Sequence, residues 1–209
     1  MASATGGKEG EEVGNIFKLS ETTVLKIQKG DITLWFLNGS SDAIVNPANE
    51  RMLGGGGADG EQLDQNSLKH AIKSQNEPDV RCPTGEARIT PGFKLPASHV
   101  IHTVGPIYDS HKDPKASLTS AYNCLSVAKE NNIEYIAFTA ISCGVYGYPF
   151  EEAATIAIST VKNFADGIKE MIDVHIGVHF VLFSDQLYNV WLNKAKELLQ
   201  ASMHQSSQN

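Results

Sequence analysis

Residues 135–166 read YIAFTAISCGVYGYPFEEAATIAISTVKNFAD, and this stretch decides the fold class. Its first six residues, 135–140, form a near-continuous apolar run, which is typical of a strand that is buried on both faces. A glycine-containing turn follows, and the pattern then predicts a helix over 149–166 that starts with Pro149, because proline is tolerated in the first helical turn. A strand that runs through such a turn into a helix indicates a parallel β-α unit.

Outward from this unit, other short apolar runs predict further strands, and amphipathic patterns predict helices over 117–132 and 185–200. Strand–helix alternation in the second half implies parallel pairing, while the first half is richer in strands and supplies mixed pairing. We therefore predict an α/β fold, a three-layer α/β/α sandwich with a mixed central sheet. The predicted strands cover residues 23–27, 32–36, 43–46, 99–104, 135–140 and 175–183.

The composition is that of an ordinary globular protein. The 209 residues suggest one domain, because domains commonly contain about 100–200 residues. No apolar run approaches the ~20 residues of a membrane span, so we expect no membrane association. We predict a mobile, Gly- and Glu-rich arm at 1–15, one domain over 16–202 and a polar tail over 203–209. The arm has no apolar segment of a secretory signal, and we expect a cytoplasmic or nuclear location.

Charge and cysteine content narrow the classes of function. The 24 Asp and Glu residues outnumber the 17 Lys and Arg residues, and the net charge of −7 disfavours nucleic-acid partners, which rely on basic patches. A phosphate ligand would therefore have to be held by backbone amides. Cys82, Cys124 and Cys143 form no C-x-x-C pair, so the sequence predicts reduced thiols, with neither a disulfide framework nor a zinc site.

A glycine tract follows the predicted strand at 43–46. Residues 46–60 read NPANERMLGGGGADG, and consecutive glycines, which cost backbone entropy on folding, make sense where a ligand approaches the backbone closely. The tract matches G-x-G-x-x-G, the dinucleotide-binding pattern. However, NPANERML separates the strand from the glycines, and the acidic Asp79 does not end a strand, so we reject the dehydrogenase interpretation.

Two further loops follow predicted strands, where ligands of α/β sheets bind. Residues 141–149 run from a buried strand to the start of a helix whose first turn carries Glu151 and Glu152. This arrangement is a phosphate cradle that needs no lysine. Asp31, in the turn KGDIT at 29–33, is either a capping residue or a buried carboxylate that accepts a hydrogen bond from an exocyclic amine such as that of adenine.

Four motifs, taken in order, resemble the macro domain family, and more narrowly its MacroD-type branch of ADP-ribose-binding and ADP-ribosyl-hydrolysing proteins. The resemblance covers roughly residues 23–200. The motifs are GDIT at 30–33, IVNPANERMLGGGGADG at 44–60, PTGEARITPGFKLPASHVIHTVGP at 83–106 and ISCGVYGYPFEEAA at 141–154.

The resemblance implies a role for individual residues of this chain. Asp31, with Ile32 beside it, would bind the adenine amino group, and Phe183 would flank the adenine. Asn49 would hydrogen-bond the distal ribose, and Asp59 would orient the attacking water or act as general base. Gly55, Gly56 and Gly57 would line the channel to that ribose. The loop around the diphosphate would comprise Ser142, Cys143, Gly144, Val145, Tyr146 and Gly147, with the Tyr146 ring against the distal ribose.

The resemblance also implies an activity: hydrolysis of the ester that joins mono-ADP-ribose to Glu or Asp side chains of modified proteins, with O-acetyl-ADP-ribose as a further substrate. It implies no cofactor and no metal, and its partners would be ADP-ribose and mono-ADP-ribosylated proteins. We expect a monomer. After Gly60, however, the chain reads EQLDQNS at 61–67, and Leu63 stands at the position of a family histidine.

This departure keeps a second interpretation open, a reader module that holds ADP-ribose without cleaving it. A third, a nucleotide- or RNA-binding scaffold, is disfavoured by the net charge. His175 and His179 fall on one face of a predicted strand and could hold a metal ion, but no third ligand lies nearby in the sequence. Cys143 precedes a helix, which could lower its pKa, yet we disfavour a catalytic thiol. The aromatic residues predicted for the core are Trp35, Phe36 and Trp191.

Overall fold

The computed structural model describes residues 15–52, 80–171 and 174–200. Within them, runs of β-branched and aromatic side chains form the strands of one sheet, as the apolar patterns predict. The prediction for residues 99–104 matches the observed strand at both ends. The strands are β1 (Ile16–Lys18), β2 (Thr23–Lys29), β3 (Asp42–Ala48), β4 (Ala87–Pro91), β5 (His99–Val104), β6 (Tyr135–Phe138) and β7 (Ile176–Leu182).

Over the described residues, the sheet has seven strands in the order β1-β2-β7-β6-β3-β5-β4. The inner strands β2, β7, β6, β3 and β5 are mutually parallel, and each edge strand, β1 and β4, pairs antiparallel with its neighbour. The prediction of an α/β sandwich around a mixed central sheet is confirmed. Because the inner strands run in the same direction, their carboxyl ends meet at one edge of the sheet.

The described helices pack on one face of this sheet. Phe138 and Phe180 from the sheet contact each other in a buried cluster that also contains Trp191. The relative exposure of Trp191 is 0%, which confirms the prediction of a core residue. No helix of the described residues is long and apolar enough to cross a membrane. The helices are α1 (Pro114–Tyr122), α2 (Cys124–Glu130), α3 (Phe150–Ile168) and α4 (Asp185–Ala195), with a π-helical turn at Lys196–Gln200.

The opposite face carries a second, smaller apolar cluster. In the described part of the chain it contains Ile44 and Val181 from the sheet, covered by Trp35, Met52 and Leu95. The sheet is therefore buried on both faces, as its near-continuous apolar strands require. The predicted terminal arm and tail lie outside the described residues, apart from Asn15.

The prediction of a strand at 32–36 is wrong. Ile32–Leu34 form a 3-10 helix, because Asp31 caps it: its Oδ1 accepts hydrogen bonds from the Thr33 amide at 2.9 Å and the Thr33 hydroxyl at 2.7 Å. Trp35 then turns into the core as predicted, whereas Phe36, also predicted for the core, is 53% exposed.

The helix predicted over 117–132 is two helices, because Asn123 ends α1 and starts α2. Asparagine favours helix termini, since its side chain competes with the backbone for hydrogen bonds. The two edge strands escaped prediction because β1 is only three residues long and β4 ends in Pro91, which is tolerated at a sheet edge.

Candidate functional site

A cavity of about 680 Å³ opens at the carboxyl ends of the parallel strands. The residues that follow each inner strand line the cavity: Gly30 and Asp31 after β2, Phe183 after β7, Thr139 after β6, Asn49 after β3 and Gly105 after β5. This is the edge where ligands of α/β sheets bind, and the volume suits a small-molecule ligand.

Nine of the predicted site residues line this one cavity, although they come from four separate segments of the sequence. Gly147 belongs to the same loop as five of them but does not line the cavity. Gly55, Gly56, Gly57 and Asp59 lie outside the described residues, and their placement stays a prediction. The nine are Asp31, Ile32, Asn49, Ser142, Cys143, Gly144, Val145, Tyr146 and Phe183.

The carboxylate of Asp31 has two oxygens in different situations. Oδ1 caps the 3-10 helix, so the capping interpretation holds, while Oδ2 accepts no hydrogen bond from any described residue. The side chain is exposed, which corrects the expectation of a buried carboxylate. The Gly30 amide donates to the Leu182 carbonyl at 3.0 Å, and this bond ties the Asp31 turn to β7 beside Phe183, which is 79% exposed.

The loop at 141–147 has amides that are available to an anion. Within the described residues, the amides of Gly144 and Val145 donate to no acceptor, and the residue Val145 is 95% exposed. The loop leads into α3, whose aligned peptide dipoles favour negative charge at this end. The described residues that line the cavity include no Lys or Arg. Phosphate recognition at this wall would therefore rest on backbone amides and the helix terminus.

Internal contacts fix the shape of this loop. The Tyr148 amide donates to the Ser142 carbonyl at 2.9 Å, and the Gly147 amide donates to the Gly144 carbonyl at 3.0 Å. Tyr108 packs edge-on against Tyr148 with 4.9 Å between ring centroids. Because these contacts lie within the protein itself, they preorganise the loop, which reduces the entropic cost of binding.

Burial controls the chemistry of the thiol in this loop. Cys143 is 8% exposed, and desolvation raises the pKa of its thiol to about 12. The proximity of a helix start would act in the opposite direction, and burial dominates. A thiol with this pKa stays protonated near neutral pH, so the site does not provide an activated cysteine nucleophile.

Asn49 lies half-buried at the end of β3, in a turn that its own side chain stabilises. Its Oδ1 accepts a hydrogen bond from the Arg51 amide at 3.1 Å, and its carbonyl accepts one from the Met52 amide at 2.9 Å. The adjacent Glu50 accepts from the Thr84 amide at 3.0 Å and the Thr84 hydroxyl at 2.8 Å. These bonds hold the end of β3 against the segment that precedes β4.

A buried polar chain links the three strands beneath that turn. The Nδ2 of Asn46 lies 3.2 Å from Nδ1 of His102, and Nε2 of His102 lies 2.9 Å from the Thr90 hydroxyl. The exposure of His102 is 0%, and desolvation lowers its pKa to about 4. His102 is therefore neutral near pH 7, and its role is to join neighbouring strands through its side-chain partners.

The two histidines considered as metal ligands differ in their exposure. His175 precedes β7 and is exposed, whereas His179 is buried within the strand. Nδ1 of His179 lies 3.2 Å from Oε1 of Gln28, and the ring packs edge-on against Trp35. Among the residues described, no group of three or more His, Cys, Asp or Glu side chains could hold a metal ion.

Several lining residues were not predicted from the sequence. Gly30, Gly105 and Thr139 each directly follow an observed strand, which is a signal that could have identified them. Apart from Thr33, the others are apolar residues whose types give no such signal. The lining residues missed include Gly30, Thr33, Pro47, Ala48, Gly105, Thr139, Ala140, Val181, Leu182 and Leu187.

Comparison with known sequences agrees with this architecture. The family model named Macro domain matches residues 45–157. A macro domain-containing protein of Vibrio parahaemolyticus is 43% identical over 171 residues, which cover 80% of this chain and 94% of that protein. The ADP-ribose glycohydrolase MACROD2 of Xenopus laevis is also 43% identical, over 81% of this chain but only 39% of its own length.

Solved structures show the same fold. A mutant of the Oceanobacillus iheyensis macrodomain, solved with ADPR, has a TM-score of 0.71 and 36% identity, and the match covers 88% of this chain and 98% of that one. The Trypanosoma brucei macrodomain in complex with ADP-ribose has a TM-score of 0.65 and 32% identity, over 81% of this chain and 68% of that one. By its sequence, its sheet order and its cavity, this chain belongs to the macro domain family.

Proposed function

We propose that this chain binds ADP-ribose in the cavity and hydrolyses the ester between mono-ADP-ribose and Glu or Asp side chains of modified proteins. The observation that carries the proposal is the placement of Asp31, Asn49 and the loop at 141–147 around one cavity at the carboxyl edge of the sheet. The known ligands of structural relatives support it, since two of these were solved with ADPR and ADP-ribose.

The adenine end of the ligand would lie between Asp31 and Phe183. The open Oδ2 of Asp31 can accept a hydrogen bond from the exocyclic amine of adenine. Phe183, largely exposed before binding, offers an apolar surface for the base. Covering that ring with adenine would remove apolar area from water and so favour binding.

The diphosphate would lie against the loop at 141–147. The amides of Gly144 and Val145, which lack acceptors in the described residues, would donate to its oxygens. Hydrogen bonds to charged acceptors are stronger than those between neutral groups. This explains how a chain with a net charge of −7 could bind a dianion: the partial charges of its amides and of the α3 terminus replace a lysine.

The distal ribose would then lie near Asn49, which lines the cavity directly after β3. In the hydrolysis, water attacks the anomeric carbon of that ribose and the bond to the carboxylate oxygen of the target breaks. Asp59 would orient the water and accept its proton, and the target carboxylate would leave as an anion. Since a carboxylate is a good leaving group, positioning supplies much of the required rate acceleration.

The test is release of free ADP-ribose from a protein mono-ADP-ribosylated on Glu or Asp. We expect release by the wild type and its loss in Asp59→Ala, with ADP-ribose affinity nearly unchanged because Asp59 acts on the water. Asp64→Ala, which removes a different carboxylate from the same stretch, is the matched control and should remain active. O-acetyl-ADP-ribose is a second substrate for the same assay.

The alternative, a reader without hydrolytic activity, is favoured by one observation. Residues 61–67 read EQLDQNS and depart from the MacroD-type pattern directly after the residue proposed to place the water. Binding of ADP-ribose with no release from the modified protein would identify a reader. Absence of both binding and release would contradict both proposals.

A further inference from the structure

Gly105 lies where the cavity wall that follows β5 meets the loop at 141–147. It directly follows Val104, the last residue of β5, and it is buried. A Cβ atom built on Gly105 would overlap Oγ of Ser142 and would lie 2.6 Å from Cγ2 of Ile141. Any side chain at this position would therefore push directly on the first two residues of the loop.

Ser142 is held in an uncommon conformation at that contact. Its φ is +64°, in the left-handed region, which is unfavourable for a non-glycine residue. The side chain is 7% exposed, and its Oγ has no hydrogen-bond partner within the described residues. The hydroxyl is thus kept in place by packing. It occupies the space that a side chain at position 105 would fill.

The backbone of Ser142 decides the course of the loop. Its carbonyl accepts from the Tyr148 amide, and the next residues include Gly144 and Val145, whose amides lack acceptors. A change in φ at Ser142 would reorient the peptide planes between Ser142 and Tyr148. Because binding of the diphosphate depends on the direction of those amides, a shift of about 1 Å would be costly.

We propose that Gly105 is a positioning residue for the phosphate-binding loop: its missing side chain leaves the room that Ser142 needs to hold the left-handed conformation, and through Ser142 it sets the affinity for a nucleoside diphosphate. Gly105 makes no contact with the ligand's reacting atoms in this role. The inference rests on the proposed function, because its readout is binding of ADP-ribose.

The test is a double-mutant cycle on ADP-ribose affinity, measured by calorimetric titration of wild type, Gly105→Ala, Ser142→Ala and the double variant. We expect Gly105→Ala to weaken binding about tenfold, because overpacking forces the loop to move. In the Ser142→Ala background the same change should weaken binding less than about threefold, because the closer of the two overlapped atoms, Oγ of Ser142, is gone and only the contact with Cγ2 of Ile141 is left.

Gly167→Ala is the matched control. Gly167 lies in α3, is exposed, and has nothing within 4 Å of a built Cβ, so this glycine-to-alanine change should leave affinity unaltered. Near-UV circular dichroism establishes that each variant is folded at the titration temperature. If Gly105→Ala does not fold, the double variant must recover both folding and binding.

Three outcomes separate the possibilities. No binding by the wild type overturns the proposed function itself. If the wild type binds ADP-ribose and the affinity of Gly105→Ala is within twofold of the wild-type affinity, the positioning role is overturned. A loss of equal size in both backgrounds, or a double variant that recovers nothing, also overturns that role, because the effect would not pass through Ser142.

Discussion

Nδ2 of Asn46 lies 3.2 Å from Nδ1 of His102 in the buried interior, and this contact joins the two parallel strands whose ends carry Asn49 and Gly105. His102 also reaches the Thr90 hydroxyl on β4. A single neutral imidazole therefore connects three adjacent strands below one wall of the cavity. Protonation of that ring would place an unpaired charge in a site with no access to water.

Stability should fall with pH as His102 becomes protonated. Its pKa is lowered to about 4 in the folded protein, against about 6.5 in the unfolded chain, so the unfolded chain binds the proton more readily. The stabilising contribution is complete above about pH 6.5 and is lost as pH falls towards about 4. We expect it to account for on the order of 2 kcal/mol of the unfolding free energy lost between pH 7.5 and pH 5.

Urea unfolding of wild type and His102→Gln at these two pH values measures this contribution. The variant should lose less stability on acidification than the wild type does. His175→Gln, which removes an exposed histidine in front of β7, is the control. Equal pH dependence of wild type and His102→Gln would contradict the assignment.

Asp31→Asn should weaken ADP-ribose binding about tenfold, because it removes the negative charge of the proposed adenine acceptor. The amide oxygen can still cap the 3-10 helix by accepting from Thr33, so the turn should survive. Thr33→Val, which removes only the hydroxyl contact to Asp31, is the control. Unchanged affinity in Asp31→Asn, measured by calorimetry, would exclude this residue from adenine recognition.

Gly56→Val should weaken the binding of ADP-ribose and spare that of ADP. The resemblance to the macro domain family places Gly56 along the channel to the distal ribose, and ADP has no such ribose. Competition of both ligands for the same protein gives the ratio of their affinities. An equal effect on the two ligands would argue against a channel at this position.

Cys143 should resist alkylation in the folded protein. Burial raises the pKa of its thiol to about 12, and that of Cys82 to about 11, so both thiols are protonated at pH 8. Cys124 is buried as well, and its pKa is also raised. Iodoacetamide at pH 8 should label these positions only after denaturation, as followed by mass spectrometry of peptides. Rapid labelling of Cys143 in the native state would show that the loop opens.

Buried strands could be predicted from their apolar runs: the prediction at 99–104 matches β5 at both ends, and that at 43–46 covers the middle of β3. Prediction failed at 32–36, because a residue-by-residue apolar pattern does not reveal that the preceding Asp31 bonds to Thr33 and starts a helical turn. It failed at β4 because Arg88 and Pro91 belong to an edge strand, whose stability comes from pairing with β5.

The candidate site was predictable where a residue type is hard to explain by folding alone, such as Asp31 in a turn or Asn49 before a glycine tract. Gly105 was not, although it lines the same cavity. A single glycine after a strand is common, and only the three-dimensional contact with Ser142 distinguishes it. The buried hydrogen bonds of His102 could likewise not be predicted from the sequence, because its partners lie 12 and 56 residues away along the chain.

The cavity is lined by the ends of five parallel strands that are far apart in the sequence. A ligand bound in this cavity would hold all five strand ends together. Its binding free energy would add to the resistance of each strand end against local opening. Backbone amide exchange should then slow together after β2, β3, β5, β6 and β7, and the sheet would open as one cooperative unit when the ligand is present.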